Sequence, residues 1–395
     1  MQLKKVEIIK YRNFENVTID FEKNDFPNVF SIASKNGGGK STLLQFIFIV
    51  LHCFLKNDKA KYLLNMLDAN VFDKTIKTHS IANFIISDNK EVYYFNLLYD
   101  VDGKITDFMI DTNMTVDIVE KLSNSIYLTV PDAQPLHFLS EKDDKEEMRK
   151  LLPNFSTYEF PTEKSILNSF EHEKQEDFRE MRVHGRYGSN YIDFQNELKN
   201  FIEGKEIGEN QEGTKITFKL KGSDKALLSE DLSHGELRKL GIYIWLKSMV
   251  QKDAIILMDE VDIALHPSWQ YELVDDLTQW SKGSQFLLAT HSPQILSSTY
   301  YKNLIFLNKE ENKTVVKQPN EMFSDNDINT IINLGMDSTH IPPKLAKLQF
   351  EYRKLIENNQ KDSDIAKELE SQILEWETSD SAFFQRIKMH LRFNK

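Results

Sequence analysis

Ser34-Lys35-Asn36-Gly37-Gly38-Gly39-Lys40-Ser41-Thr42 is the stretch of this chain best suited to hold a polyanion. Consecutive glycines let the backbone curl until successive N–H groups point at one centre, with no side chain in the way. A short apolar β-type run, Val29 to Ala33, precedes the loop and an apolar helical run follows it. A helix N-terminus beneath the loop adds the positive end of its dipole. In that setting Ser34, Asn36, Gly37, Gly38 and Gly39 would wrap the phosphates of a nucleotide, and Lys40 would reach the β- and γ-phosphates. Ser41 would ligate a magnesium ion and Thr42 would touch the α-phosphate side. The strict pattern opens on glycine where this chain has Ser34, a small residue that should fit.

A second group lies far downstream. Ala254-Ile255-Ile256-Leu257-Met258 is an apolar strand-like run that ends in Asp259-Glu260. Acids at the end of a buried strand belong where ligands of open α/β sheets bind, outside the carboxyl edge. Asp259 suits the shell of the magnesium ion, and Glu260 suits a general base acting on an attacking water. The next apolar run, Gln285 to Ala289, ends in Thr290-His291-Ser292-Pro293, which brings His291 to the same edge, within reach of a γ-phosphate or that water. Between loop and acids, Leu232-Ser233-His234-Gly235-Glu236 reads as a helix start, with Ser233 and Glu236 spaced as a capping box and Leu237, Leu240 and Ile244 following at helical intervals.

The elements that must position these residues follow from periodicity. Val17 to Phe21 alternates apolar with polar, and further strands are expected over Ile81–Ile86, Glu91–Tyr99 and Ile126–Val130, with Asp102-Gly103 as a hairpin turn. An alternating strand over Lys215–Lys221 returns the chain to its core. Helices over Ser233–Val250 and Pro267–Lys282 then alternate with the two strands described above, and strands recur near Leu304 and Val315. That alternation predicts an α/β fold with a parallel or mixed sheet covered by helices. The division expected is a core lobe with the phosphate loop (1–140), a mostly helical, charge-rich insertion (141–210), a second core segment (211–324) and a helical C-terminal extension (325–395). In the extension, Leu345, Leu348, Tyr352 and Leu355 mark one helical face and Phe383, Phe384, Ile387 and Leu391 another; packing on the chain's own core and docking of a partner are both open readings.

Composition narrows the setting. The 395 residues are 40% hydrophobic and 28% charged, as in soluble globular proteins. The single cysteine, Cys53, excludes an internal disulfide and a Cys-rich zinc site and fits a reducing cytoplasm. The first residues are too charged for a signal peptide, and the apolar run Leu43–Leu55 falls short of the roughly 20 residues a membrane span needs. A net charge of −12 argues against a surface wholly given to nucleic acid and leaves a local basic groove open.

Leu232 to Glu236 resembles the signature motif of ABC ATPases, usually Leu-Ser-Gly-Gly-Glu, with His234 in place of one glycine. With the phosphate loop, the acidic strand end and His291 in the same order, the chain looks like an ABC-type P-loop ATPase. The opening Ile8 to Asn16 resembles the chromosome-maintenance and RecF-like branch, in which an aromatic and an arginine lie beside the nucleotide. The segments Asp259–Gln270 and Thr290–Leu296 are similar to Septu-type anti-phage ATPases, also found beside retrons, with the PARIS ATPase as a relative. This resemblance implies ATP and Mg²⁺ as cofactors. It also implies composite sites in which Ser233 and Gly235 of one copy cap the γ-phosphate held by Lys40 of another, hence a homodimer or higher even-numbered oligomer. Asp262 would communicate across that dimer, and Gln134 is the candidate for the Gln loop. No nuclease constellation follows His291, so a separate effector, nuclease or toxin, is expected as partner. The alternative is a RecF-like repair ATPase that clamps DNA.

Overall fold

The computed structural model describes residues 1–21, 28–53, 57–67, 75–88, 91–100, 108–130, 136, 138–139, 147, 150–152, 154–223, 226–228, 231–249, 253–281, 283–321, 331, 341–358 and 360–393. The chain divides into two compact units, Met1–Asn326 and Asp327–Lys395.

The first unit begins with a hairpin, β1 (Gln2–Tyr11) and β2 (Phe14–Asp20), whose turn places Arg12 at φ 50°. In β2, Val17 and Ile19 are buried while Thr18 faces solvent, as the alternation requires. Then come β3 (Val29–Ser34), α1 (Lys40–Cys53) and α2 (Asn57–Met66), followed by β4 (Thr78–Asp88), β5 (Glu91–Asp100), β6 (Phe108–Thr112), α3 (Val116–Leu122) and β7 (Ile126–Thr129). The proposed hairpin turn at Asp102-Gly103 lies outside the described residues. After β8 (Phe155–Thr157), the helices α4 (Glu163–His184) and α5 (Asn190–Lys199) fold back on one another. The Asp177 carboxylate at the end of the hairpin accepts from the Asn190 and Tyr191 amides, at 2.8 and 3.0 Å. Three short strands follow, β9 (Lys205–Glu209), β10 (Ile216–Leu220) and β11 (Ala226–Leu227). The remainder of the unit is α6 (His234–Met249), β12 (Ile255–Asp259), α7 (Pro267–Trp280), β13 (Gln285–Ala289), α8 (Pro293–Ser298), β14 (Leu304–Glu310) and β15 (Lys313–Lys317).

Twelve strands form one sheet in the order β6-β5-β4-β1-β2-β15-β14-β3-β13-β12-β7-β8. The sheet is mixed. β14, β3, β13, β12, β7 and β8 run parallel, with α7 crossing from β12 to β13 and α8 from β13 to β14, whereas β1–β2, β1–β4, β4–β5, β5–β6 and β14–β15 pair antiparallel. The alternating strand expected over Lys215–Lys221 does form, as β10. It belongs to a separate three-stranded sheet with β9 and β11, packed with α4, α5 and α6 around Phe170, Phe194 and Tyr243, rather than to the main sheet. Among the described residues no helix is long and apolar enough to cross a membrane.

α1 is apolar on every side because it is covered on every side. Phe46 stacks on Tyr11 of β1, with ring centres 4.2 Å apart, and lies near Phe84 of β4. Phe48 meets Tyr127 of β7 on another face of the helix. The helix that begins at Lys40 is therefore clamped by strands from both halves of the sheet, which fixes where its N-terminus points.

In the second unit, α9 (Pro343–Glu357), α10 (Asp364–Leu374) and α11 (Ala382–Phe393) bury their apolar faces against one another. Leu345, Leu348, Tyr352, Ile373, Phe384 and Ile387 share one small core. The stripes read from the sequence thus find partners within the extension itself.

Replacing Phe46 with alanine removes the ring that joins β1, β4 and α1. It is expected to cost about 3–5 kcal/mol in urea unfolding of the purified protein. A loss under about 1 kcal/mol would show that α1 is not the keystone of this core.

Candidate nucleotide site

The phosphate loop joins β3 to α1. Gly37 and Gly39 take φ of 76° and 98°, which side-chain-bearing residues rarely adopt. A Cβ on Gly38 would fall 2.5 Å from that of Ser34 and 3.1 Å from the Leu307 carbonyl oxygen, so close approach demands glycine there. Ser34, the departure from the usual pattern, is buried and used: its hydroxyl donates to the Lys35 carbonyl at 2.7 Å and accepts from Lys40 Nζ at 3.3 Å.

The parallel register of β12 with β13 aligns Asp259 with Ala289, so the residues that follow each strand, Glu260 and Thr290-His291, reach one edge together. Lys40 Nζ meets His291 Nε2 there at 2.7 Å. Burial lowers the Lys40 pKa, against the pull of Asp259, Asp262 and Glu260. Burial, then the Lys40 charge, lowers that of His291, which favours a neutral imidazole that accepts from the ammonium.

Asp259 is 4% exposed. Burial raises its pKa, opposed by hydrogen bonds from Ser41 and from Tyr127, whose hydroxyl donates to Oδ2 at 2.9 Å. Its other oxygen, Oδ1, is buried without a hydrogen-bond partner. A buried carboxylate oxygen left unpartnered beside a serine hydroxyl fits a hard divalent cation such as Mg²⁺. Among the described residues no group of three His, Cys, Asp or Glu side chains could hold a metal, so such an ion would depend on phosphate oxygens and water for its remaining ligands. Glu260 takes φ 53°, a strained conformation of the kind concentrated at functional sites. Its pKa is raised by burial first and then by Asp259 and Asp262.

These groups line one cavity of about 1040 Å³, together with Arg12, Asn13, Phe14, Ser34, Asn36 to Thr42, Asn65, Met66, Leu67 and Thr314. Arg12 comes from the β1–β2 turn and Phe14 from the start of β2, the opening that suggested an arginine and an aromatic beside the nucleotide. Asn65, Met66, Leu67 and Thr314 were not singled out from the sequence. No spacing or motif marks the end of α2 as a site wall.

Other sequence candidates stand apart. Ser233, Gly235 and Asp262 are not among the lining residues of this cavity. Ser233 caps α6 as its spacing suggested: its amide donates to the Glu236 carboxylate at 2.7 Å, and its hydroxyl accepts from the Glu236 amide at 3.2 Å. Gly235 has a packing reason, since a Cβ there would lie 2.9 Å from the Trp269 ring and 3.0 Å from the Ala264 carbonyl oxygen. Asp262 ties the two strand ends together, accepting from Thr290 Oγ1 at 2.6 Å and from the His291 amide at 3.3 Å. Gln134 lies outside the described residues.

Residues 35–297, more than half of the chain, match the family described as "AAA domain, putative AbiEii toxin, Type IV TA system". The chain belongs to this family. It is similar to the Retron Ec83 probable ATPase of Escherichia coli, 30% identical over 117 residues, which is 29% of this chain and 21% of that protein. It is also similar to the Septu protein PtuA of Bacillus thuringiensis, 29% identical over 114 residues, which is 27% of this chain and 29% of that protein. The chain thus spans less than a third of the length of these curated relatives. Among solved structures it is similar to the SMC head domain from Thermotoga maritima, at 15% identity and a TM-score of 0.49 over 81% of this chain and all of that one.

The raised Glu260 pKa gives a test of the site's electrostatics. A carboxyl whose folded pKa exceeds its unfolded value of about 4.5 destabilises the fold above that range, and the penalty disappears as pH falls to 4.5. Glu260→Gln should therefore raise the thermal midpoint of the nucleotide-free protein at pH 7.5, with the difference closing by pH 4.5. A variant less stable than wild type at pH 7.5 would contradict this arrangement of charges.

Proposed function

We propose that this chain binds ATP with Mg²⁺ at the edge where Lys40, Asp259, Glu260 and His291 converge, and hydrolyses it. The observation that carries this reading is that convergence: a buried ammonium, a carboxylate with one unpartnered oxygen, a strained glutamate of raised pKa and a neutral imidazole around one glycine-lined cavity. The loop amides and Lys40 hold the phosphates, while Ser41 and Asp259 would hold the cation, which supplies charge neutralisation on the phosphate oxygens when bound. Glu260 accepts the proton of the attacking water, and its raised pKa brings it closer to working pH as a base. His291 steadies the γ-phosphate or the water. Asp262 keeps His291 in place through the backbone amide.

Ser233 and His234 are exposed at the start of α6 and lie outside the cavity lining. This supports a composite site in which the α6 N-terminus of a second copy, with Ser233 and Gly235, caps the γ-phosphate bound by the first; a helix start with a serine hydroxyl is an anion site. At the level of the organism, the names of the relatives support a regulatory ATPase of a bacterial anti-phage system that controls a separate effector in the cytoplasm.

Lys40→Ala should lose ATP binding, measured by calorimetry. Glu260→Gln should bind ATP yet hydrolyse it at least ~10²-fold more slowly, the size of a lost general base. Wild-type turnover in the Gln variant would remove Glu260 from this role.

The assembly has its own check. Glu260→Gln with Mg²⁺-ATP should run as a dimer or larger even-numbered oligomer by light scattering. A strictly monomeric particle with and without ATP would contradict the composite site. In cells, Lys40→Ala should abolish protection against phage; sensitivity to DNA damage with phage protection intact would instead indicate a DNA-clamping repair ATPase.

A further inference from the structure

α6 runs close against the segment that follows β8: a Cβ on Gly241 would lie 2.8 Å from the Glu159 carbonyl oxygen. Beside this contact opens a second cavity, of about 250 Å³, whose lining includes Arg238, Tyr158, Phe160 and Trp245. Arg238 is 6% exposed, yet its Nε and Nη2 have no hydrogen-bond partner. The Tyr158 phenol oxygen is likewise buried without one. The guanidinium carbon stands 3.5 Å from the centre of the Tyr158 ring. Stacking of that kind fixes the plane of the group but leaves its in-plane donors unsatisfied. An arginine cannot relieve a buried charge by losing its proton, as a lysine can, so its unsatisfied donors suit an anion that enters the cavity.

We infer that this cavity is a binding site for a small aromatic carboxylate, held by the Nε and Nη2 donors of Arg238 and the Tyr158 hydroxyl, with its ring against Phe160 and Trp245. The two guanidinium donors match the two carboxylate oxygens. One cation suits a monoanion. A phosphate dianion would leave excess negative charge close to Glu159, the acid among the lining residues, whose own carboxylate accepts from Thr157 Oγ1 at 3.3 Å. The site is also placed to influence the nucleotide edge. Arg238 lies on α6, the helix that Ser233 caps, and Tyr158 lies within electrostatic reach of Asp259, Glu260 and Asp262. That consequence rests on the proposed ATPase reading; the binding itself does not.

The test is calorimetric titration of the full chain with 3-phenylpropionate and with 3-phenylpropanol, the same body without the charge. The carboxylate should bind saturably, one per chain, at least about tenfold more tightly than the alcohol. Arg238→Met, which keeps side-chain volume, should erase that preference. Phe160→Ala, at a residue 49% exposed and therefore safe for folding, should weaken both ligands several-fold. Lys40→Ala should leave carboxylate affinity unchanged whether or not ATP binding survives in that variant. No saturable binding, equal affinity for acid and alcohol, binding that persists in Arg238→Met, or loss of binding in Lys40→Ala would each overturn the inference; the last would put the probe in the phosphate cavity. If Arg238→Met does not fold, Phe160→Ala decides, and unchanged affinity there overturns it.

Discussion

Lys40 is an ammonium 8% exposed at the start of the deeply buried helix α1, and the candidate site is organised around keeping it charged there. Desolvation works against the charge, and the carboxylates of Asp259, Asp262 and Glu260 work for it. None of the three is near Lys40 in sequence. They arrive because α1 is clamped by aromatic contacts to β1, β4 and β7, and because β12 pairs in parallel with β13, which pairs in parallel with β3, the strand that leads into the phosphate loop. The sheet order is thus what brings one cation and three anions to a common edge, and the cavity follows from it.

The same balance explains the chemistry available. Burial raises the pKa of Asp259 and of Glu260, the latter pushed further by the neighbouring acids, while burial and then the Lys40 charge lower that of His291. Each shift suits a polyphosphate and its cation: the lysine and the acids are separated into donors and acceptors around one space rather than collapsed into direct ion pairs. Lys40 instead contacts two neutral groups, Ser34 Oγ and His291 Nε2. Arg238 poses the complementary case, a buried cation on α6 whose Nε and Nη2 have no hydrogen-bond partner and whose guanidinium lies over the Tyr158 ring, and the same reasoning assigns it an anion from outside the chain.

Much of this was legible in the sequence because the relevant signals are local. Glycines that need positive φ or close approach, an apolar run ending in Asp259-Glu260, and a serine three residues before Glu236 each carry their meaning within a few residues. What escaped was set by distance along the chain. Nothing near Asp259 announces Tyr127 as its hydrogen-bond donor, and nothing near the phosphate loop announces Met66 or Thr314 as walls. β10 left the main sheet because its buried face, Ile216 and Phe218, meets the α4–α5 hairpin and α6 instead. The C-terminal stripes were visible, but periodicity says only that a face is covered, not by what; here the three helices cover one another.

The most direct test of the central claim is the structure of Glu260→Gln crystallised with Mg²⁺-ATP. The account predicts that Lys40 Nζ turns from His291 to the β- and γ-phosphate oxygens, with the cation bound by Ser41 Oγ and on the Oδ1 side of Asp259. Nucleotide bound elsewhere, with the Lys40–His291 contact intact and Asp259 Oδ1 still unpartnered, would contradict it.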